Sequence, residues 1–564
     1  MNRRDSAVVL ALGVLLVALV TALALPAASP AATPSPAPTP PQEAVFREGI
    51  VGLPSSPTPI SARTQADRDI VALVFRGLVR LGPGDSILPD LAERWTTEQD
   101  GQRWTFTLRR DARWHDGEPV TAEDVALTVR ALQAPGSTSP AAETWRKVVA
   151  TVLDERTVRF DLNAPSTGFL DAMRQPLLPA HLLGSVSVDA LADHPFWRSP
   201  IGNGAFTLVQ WDETSAVLEP ITSLPPDLSR PFATFPPRRL SGSGAALLPR
   251  LELLFYETAD DLADALRAGE VDSASELPGP LATTLEGAGD DARLLRYPGT
   301  TLTSVVLNLR PRQQPAFADP RTRRGLLEAI DRNGIVTGIL AGTARRADSP
   351  VPPASWAFDQ AASKKIAHDV DAAASDLKAA GWKKTGGRWT APGTTKAFEI
   401  ELLTPDADSN PVAAAIAAEV ARAWSDFGLR TTVTELPPAE FVTRLRDGDF
   451  AAAVVDVNVG LDPDLFPILA STQARSGGSN IAGVQDSTLD KALDAARKPG
   501  TRAERTKAMS KLQQVLAARL PILPLVFRDH LYLVPASLQG PTPRPIADAS
   551  ERFWDVLTWR LADR

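Results

Sequence analysis

The chain has 564 residues, 44% apolar and 22% charged, with a formal net charge of −8 and no cysteine. The absent thiol excludes disulfides, thiol nucleophiles and a lipidated cysteine. The acidic balance argues against a nucleic-acid partner, which needs a basic face.

Arg3 and Arg4 precede an uncharged run, 6–25, whose polar members are Ser6 and Thr21. About 20 such residues are long enough to span a bilayer, and the basic flank places the remainder outside the cytoplasm. The run reads as a cleaved signal peptide, with Ala22-Leu23-Ala24 as processing site, or as an uncleaved anchor; its length favours the anchor. Residues 26–44 are a Pro-rich linker expected to extend as polyproline II. The ~520 residues that follow exceed one ordinary core, so two or three subdomains are expected.

Residues 70–79 read as a buried helix entering a loop at Gly82-Pro83-Gly84. In the block 88–127, Trp104, Phe106 and Leu108 alternate with polar residues, which predicts a strand. Trp114-His115-Asp116-Gly117 predicts a turn, and Thr121 with Asp124 predicts a capped helix through Ala131. Residues 146–162 read as two strands joined at Asp154-Glu155, and Gly202 and Gly204 as a close backbone approach. Residues 221–249, rich in Pro, Ser and Gly, read as a long surface loop that includes the Ser241-Gly-Ser-Gly run. A strand over 251–256, a helix over 260–267 and a strand over 302–309 follow. Beyond residue 319 the pattern alternates: helices over 371–382, 411–427, 439–446 and 501–519, and strands over 398–403, 429–435, 450–457 and 523–534.

Taken in order, these motifs closely resemble the solute-binding proteins of peptide/nickel ABC importers (family 5). The block LAERW…DGQRWTFTLRR…WHDGEPVTAEDV carries the resemblance, with PIGNGAF (200–206), DPRTRRGLLEAIDRNGI (319–335) and DAAASDLKAAGW (371–382). The resemblance covers roughly 45–564. It implies an α/β, two-lobed, type II periplasmic-binding-protein-like fold with an extra subdomain, preceded by the apolar helix and Pro-rich linker. Lobe I is expected from about 45–81, 200–305 and 525–564, the subdomain from 82–199, and lobe II from 306–524. The implied function is capture of a peptide-like or other small solute in an interlobe cleft by hinge closure, and delivery to ABC permease subunits. A monomer held at the membrane by its N-terminal helix is expected. The alternative is an envelope protein of the same fold with a regulatory or scaffold role.

No catalytic pattern appears: the five histidines are scattered, there is no metal-ligand spacing and no GxSxG elbow. No cofactor, metal or enzymatic activity is expected. The ligand-binding candidates are Ser55, Ser56, Asn308, Asp456, Asn458 and Asp462. Two loops depart from the family's pattern. Residues 53–59 read LPSSPTP, without the usual acid and LDP. Residues 456–463 read DVNVGLDP, so that Val459 stands where the resemblance puts the acid that grips a peptide's amino group. Trp356 is a candidate for stacking on a ligand, with packing the stronger expectation.

Overall fold

The structure, a computed structural model, describes residues 45–562 apart from 83–85, 136, 138, 140, 165, 167, 222–245, 249, 289–290, 311–313, 476 and 499. The apolar run 6–25, the Pro-rich linker, the Pro83-Gly84 turn and most of the 221–249 loop therefore lie outside the described residues. Among the described residues, no helix is long and apolar enough to cross a membrane.

The first lobe is built on a seven-stranded sheet among the described residues. Its order is Ala292–Tyr297, His530–Pro535, Ser273–Ser275, Val45–Val51, Arg250–Tyr256, Ser215–Pro220 and Phe206–Trp211. Val45–Val51 runs parallel to both of its neighbours, and the outer strands run antiparallel. One face carries the helix Gln65–Val74 and the C-terminal segment Ala549–Thr558, the other the helices Ala259–Ala268 and Gly279–Glu286. The second lobe is a six-stranded sheet in the order Ala344–Arg346, Leu523–Arg528, Thr301–Leu307, Ala452–Asn458, Glu399–Pro405 and Arg430–Leu436. Thr301–Leu307 is buried almost end to end because helices cover both faces of that sheet.

The block 88–127 folds as read. Arg103–Leu108 is a strand with Phe106 and Leu108 fully buried, and Ala122–Leu132 is a helix opened by a Thr121–Asp124 capping box. With Ala92–Glu98, Thr157–Asp161 and Val149–Asp154 the strand makes a four-stranded sheet whose core is continuous with the first lobe. The turn at His115 joins the two: its backbone N–H donates to the Gly202 carbonyl at 2.8 Å and its Nε2 to the Gly204 carbonyl at 3.1 Å. A Cβ at Gly202 would lie 2.1 Å from the Val74 carbonyl oxygen, so only glycine lets these segments meet. Burial depresses the pKa of His115, as befits a packed imidazole.

Residues 45–564 form one compact unit that contains all of these cores. Among the described residues the chain passes between the two large sheets at two places, 298–300 and Asp529.

Candidate ligand-binding site

The ends of both sheets meet where the two passages run side by side. A Cβ at Gly299 would lie 2.1 Å from the Arg528 carbonyl oxygen, so the passages touch through backbone. Gly299 also bridges Ile546, whose N–H donates to the Pro298 carbonyl at 3.0 Å. From the second lobe, Asp529 N–H donates to the Thr343 carbonyl at 3.1 Å, and Arg345 pairs with the Asp529 carboxylate at 2.9 Å. Two adjacent backbone passages thus connect the two sheets.

Asp456 and Asn458 stand at this junction, because antiparallel pairing sets Asp456 opposite Thr303 and Asn458 opposite Thr301. The Asp456 carboxylate accepts from Thr303 Oγ1 at 2.5 Å, Asn410 Nδ2 at 3.1 Å and Arg528 Nη2 at 2.7 Å. It is therefore neutralised and held within its own lobe. Asn458 accepts from Thr300 Oγ1 at 2.7 Å and donates through Nδ2 to the Ala547 carbonyl of the first lobe at 2.6 Å. Val459 is buried and carries no charge to the junction.

Ser55 and Ser56 lie in the loop that leaves Val45–Val51, and this loop is fastened to the N-terminus of the helix Gln65–Val74. Asp67 accepts from Ser55 N at 2.8 Å, Ser55 Oγ at 2.8 Å and Ser56 N at 2.9 Å while completing the capping box with Thr64. Burial opposes the charged form of Asp67, but the bonds from Ser55 and Ser56 prevail and hold its pKa below the ordinary value. The Ser56 hydroxyl meets the Ser61 hydroxyl at 3.1 Å. Both serine side chains are thus committed to shaping the loop.

Asn308 and Asp462 lie away from this junction. Asn308 is fully buried past the opposite end of Thr301–Leu307 and donates to the Gly448 and Phe450 carbonyls, each at 2.9 Å. Asp462 pairs with Arg505 at 2.6 Å; the Arg505 and Arg502 guanidiniums lie 4.5 and 4.1 Å from the Trp356 ring, which is packed rather than open. Asp462 and Pro463 share a crevice of about 20 Å³ with Gly168 of the four-stranded subdomain, too small for a solute.

The sequence reading missed Glu276, His530, Arg528 and Asn410. Glu276 follows Ser273–Ser275 with φ of 58°, a conformation that sequence rarely announces for Glu. Its carboxylate accepts from His530 Nδ1 at 3.0 Å and from Leu531 N at 3.2 Å. Burial opposes the imidazolium, but the adjacent Glu276 raises the His530 pKa overall; Glu276 is correspondingly lowered against its own burial. The junction thus carries the ion pairs Asp456–Arg528, Arg345–Asp529 and Glu276–His530, made by three consecutive residues, 528–530, of one passage. Among the described residues no group of three His, Cys, Asp or Glu is placed to hold a metal ion.

Comparison with known proteins adds the following. The family described as "Bacterial extracellular solute-binding proteins, family 5 Middle" matches residues 86–478. Protein XP55 of Streptomyces lividans is 27% identical over 521 residues, 91% of this chain and 87% of that protein. The oligopeptide-binding protein AppA of Bacillus subtilis is 24% identical over 526 residues, 91% of each. Among solved structures, NikZ from Campylobacter jejuni in complex with Ni(L-His) is similar with a TM-score of 0.70 at 23% identity, over 92% of this chain and 99% of that one. Likeness at that identity speaks to the fold.

Proposed function

The chain belongs to the bacterial extracellular solute-binding proteins of family 5, and on that premise we propose that it captures a peptide-like solute between its lobes outside the cytoplasmic membrane and passes it to an ABC permease. The observation that carries this reading is the junction itself: two sheets joined by adjacent passages at 298–300 and 529, with polar strand ends facing one another. Closure about such a hinge buries a guest, and affinity comes from contacts made in the closed state. The apolar run 6–25 and the Pro-rich linker support a receptor tethered at the membrane face.

The grip on the guest differs from an ammonium–carboxylate clamp. Asp456 already has a guanidinium, an amide and a hydroxyl on its carboxylate, and Arg528 beside it repels an incoming ammonium. The solute is held by backbone and neutral polar groups near Asn410 and Asn458. Calorimetric titration of residues 45–564 with free and N-acetylated di- to pentapeptides tests both parts. Binding at comparable affinity for the two series is expected. A preference of about tenfold or more for the free amine would overturn the grip, and absence of binding by any peptide, with no small molecule co-purifying by mass spectrometry, would overturn the function.

A further inference from the structure

A cavity of about 480 Å³ opens along the helix Gln65–Val74, and among the described residues its wall comes from those before 206 and after 543. No described residue of the second lobe lines it, and only its edge at Asp548 and Glu551 adjoins Ala547, the residue that Asn458 reaches. We propose that this cavity is a second ligand site, for a small amphipathic carboxylate.

The floor is apolar: Ile60, Val71, Phe75, Phe553 and Val556 are buried residues that also line the space. Arg68, Arg76, Arg80, Arg174 and Arg544 line it too. Three of these guanidiniums are braced by carboxylates: Arg68 by Asp548 at 2.8 Å, Arg76 by Asp90 at 2.9 Å, and Arg174 by Glu551. Arg544 lies 4.5 Å above the Trp554 ring. Burial lowers the pKa of Arg80, and Asp90 opposes that shift.

Each feature suits the same guest. Cavities of about 300–1,000 Å³ with an apolar lining and a few fixed polar groups hold small molecules. Guanidinium forks match carboxylate oxygens in pairs, and braced side chains lose little freedom on binding. Asp90, Asp548 and Glu551 line the space as well, so five guanidiniums face three carboxylates, and the excess of positive charge favours an anion over a cation. An apolar chain meets the side chains of an apolar floor, a contact that a wholly polar anion does not make.

The test is calorimetric titration of residues 45–564 with octanoate, and with octan-1-ol as the uncharged partner of equal chain length. Octanoate is expected to bind at one site and octan-1-ol about tenfold or more weaker. Ala72→Trp fills the cavity from an exposed helix position, and Arg80→Gln removes one charge; each is expected to weaken octanoate about tenfold. Peptide titration of both variants serves as the folding control. Should Arg80→Gln fail to fold, Ala72→Trp decides alone. Octanoate affinity equal to that of octan-1-ol, unchanged affinity in Ala72→Trp, or no octanoate binding would overturn the proposal. Binding that emerges only after deletion of residues 222–245 would assign the cavity to that segment and overturn it as well.

Discussion

The ion pairs at single residues have separable consequences. Arg552 is buried with Glu48 and Asp69: its Nε lies 3.0 Å from Glu48, its Nη1 and Nη2 lie 2.8 and 2.6 Å from Asp69, and the Tyr532 hydroxyl donates to Glu48 at 3.0 Å. Arg552→Met strands two buried carboxylates and is expected to cost roughly 3–5 kcal/mol in denaturant unfolding. Gly299→Ala drives a methyl into the Arg528 carbonyl and is expected to cost about 1–3 kcal/mol by the same assay. For the Glu276–His530 pair the direction follows from linkage. His530 has a folded pKa raised above 6.5, so its contribution is complete below 6.5 and fades as pH rises through the folded value. Glu276 is lowered below 4.5, so its contribution is complete above 4.5 and fades as pH falls through the folded value. The stability lost in His530→Gln is therefore expected to be greatest between pH 4.5 and 6.5 and smaller in more alkaline buffer, read from melting of both proteins at each pH.

Among the elements, the loop fastened by Asp67 is the most exposed to a single change. Asp67→Ala removes the acceptor shared by Ser55 and Ser56, and hydrogen exchange is expected to rise across 53–62 while the sheet behind it stays protected. Elements with local punctuation were legible in the sequence. Pro411–Phe427 was read residue for residue, because Asn410 caps it, Pro411 opens it and Gly428 ends it at φ of 104°. The capping box of Ala122–Leu132 was equally plain. Val45–Val51 was not legible, since Arg47 and Glu48 interrupt its apolar pattern and Glu48 is buried only because Arg552, 504 residues later, neutralises it. Site residues suffered in the same way. Asp456 was visible as an acid near the cleft, but its partners Thr303, Asn410 and Arg528 come from three other elements, and no local pattern encodes them.

At the scale of the molecule, Asn458 is a direct link across the junction, from the end of one sheet to Ala547 beside the other. Asn458→Ala is expected to shift the unliganded protein toward open arrangements, seen as an increased radius of gyration in small-angle scattering, with weaker solute capture. An unchanged scattering profile would show that the link does not bear on closure. The Glu48–Arg552 contact has a further consequence, in time rather than in space. The second sheet is drawn from one continuous stretch, 301–528, and is complete as soon as that stretch is made. The first sheet waits: its central strand is among the earliest parts of the unit to emerge, yet the strand His530–Pro535 and the arginine that quiets its glutamate come nearly last. A chain translated from its N-terminus must therefore wait for its final segment before residue 48 can be buried with its partner, and a polypeptide arrested before residue 552 leaves the first sheet unfinished and open to proteases.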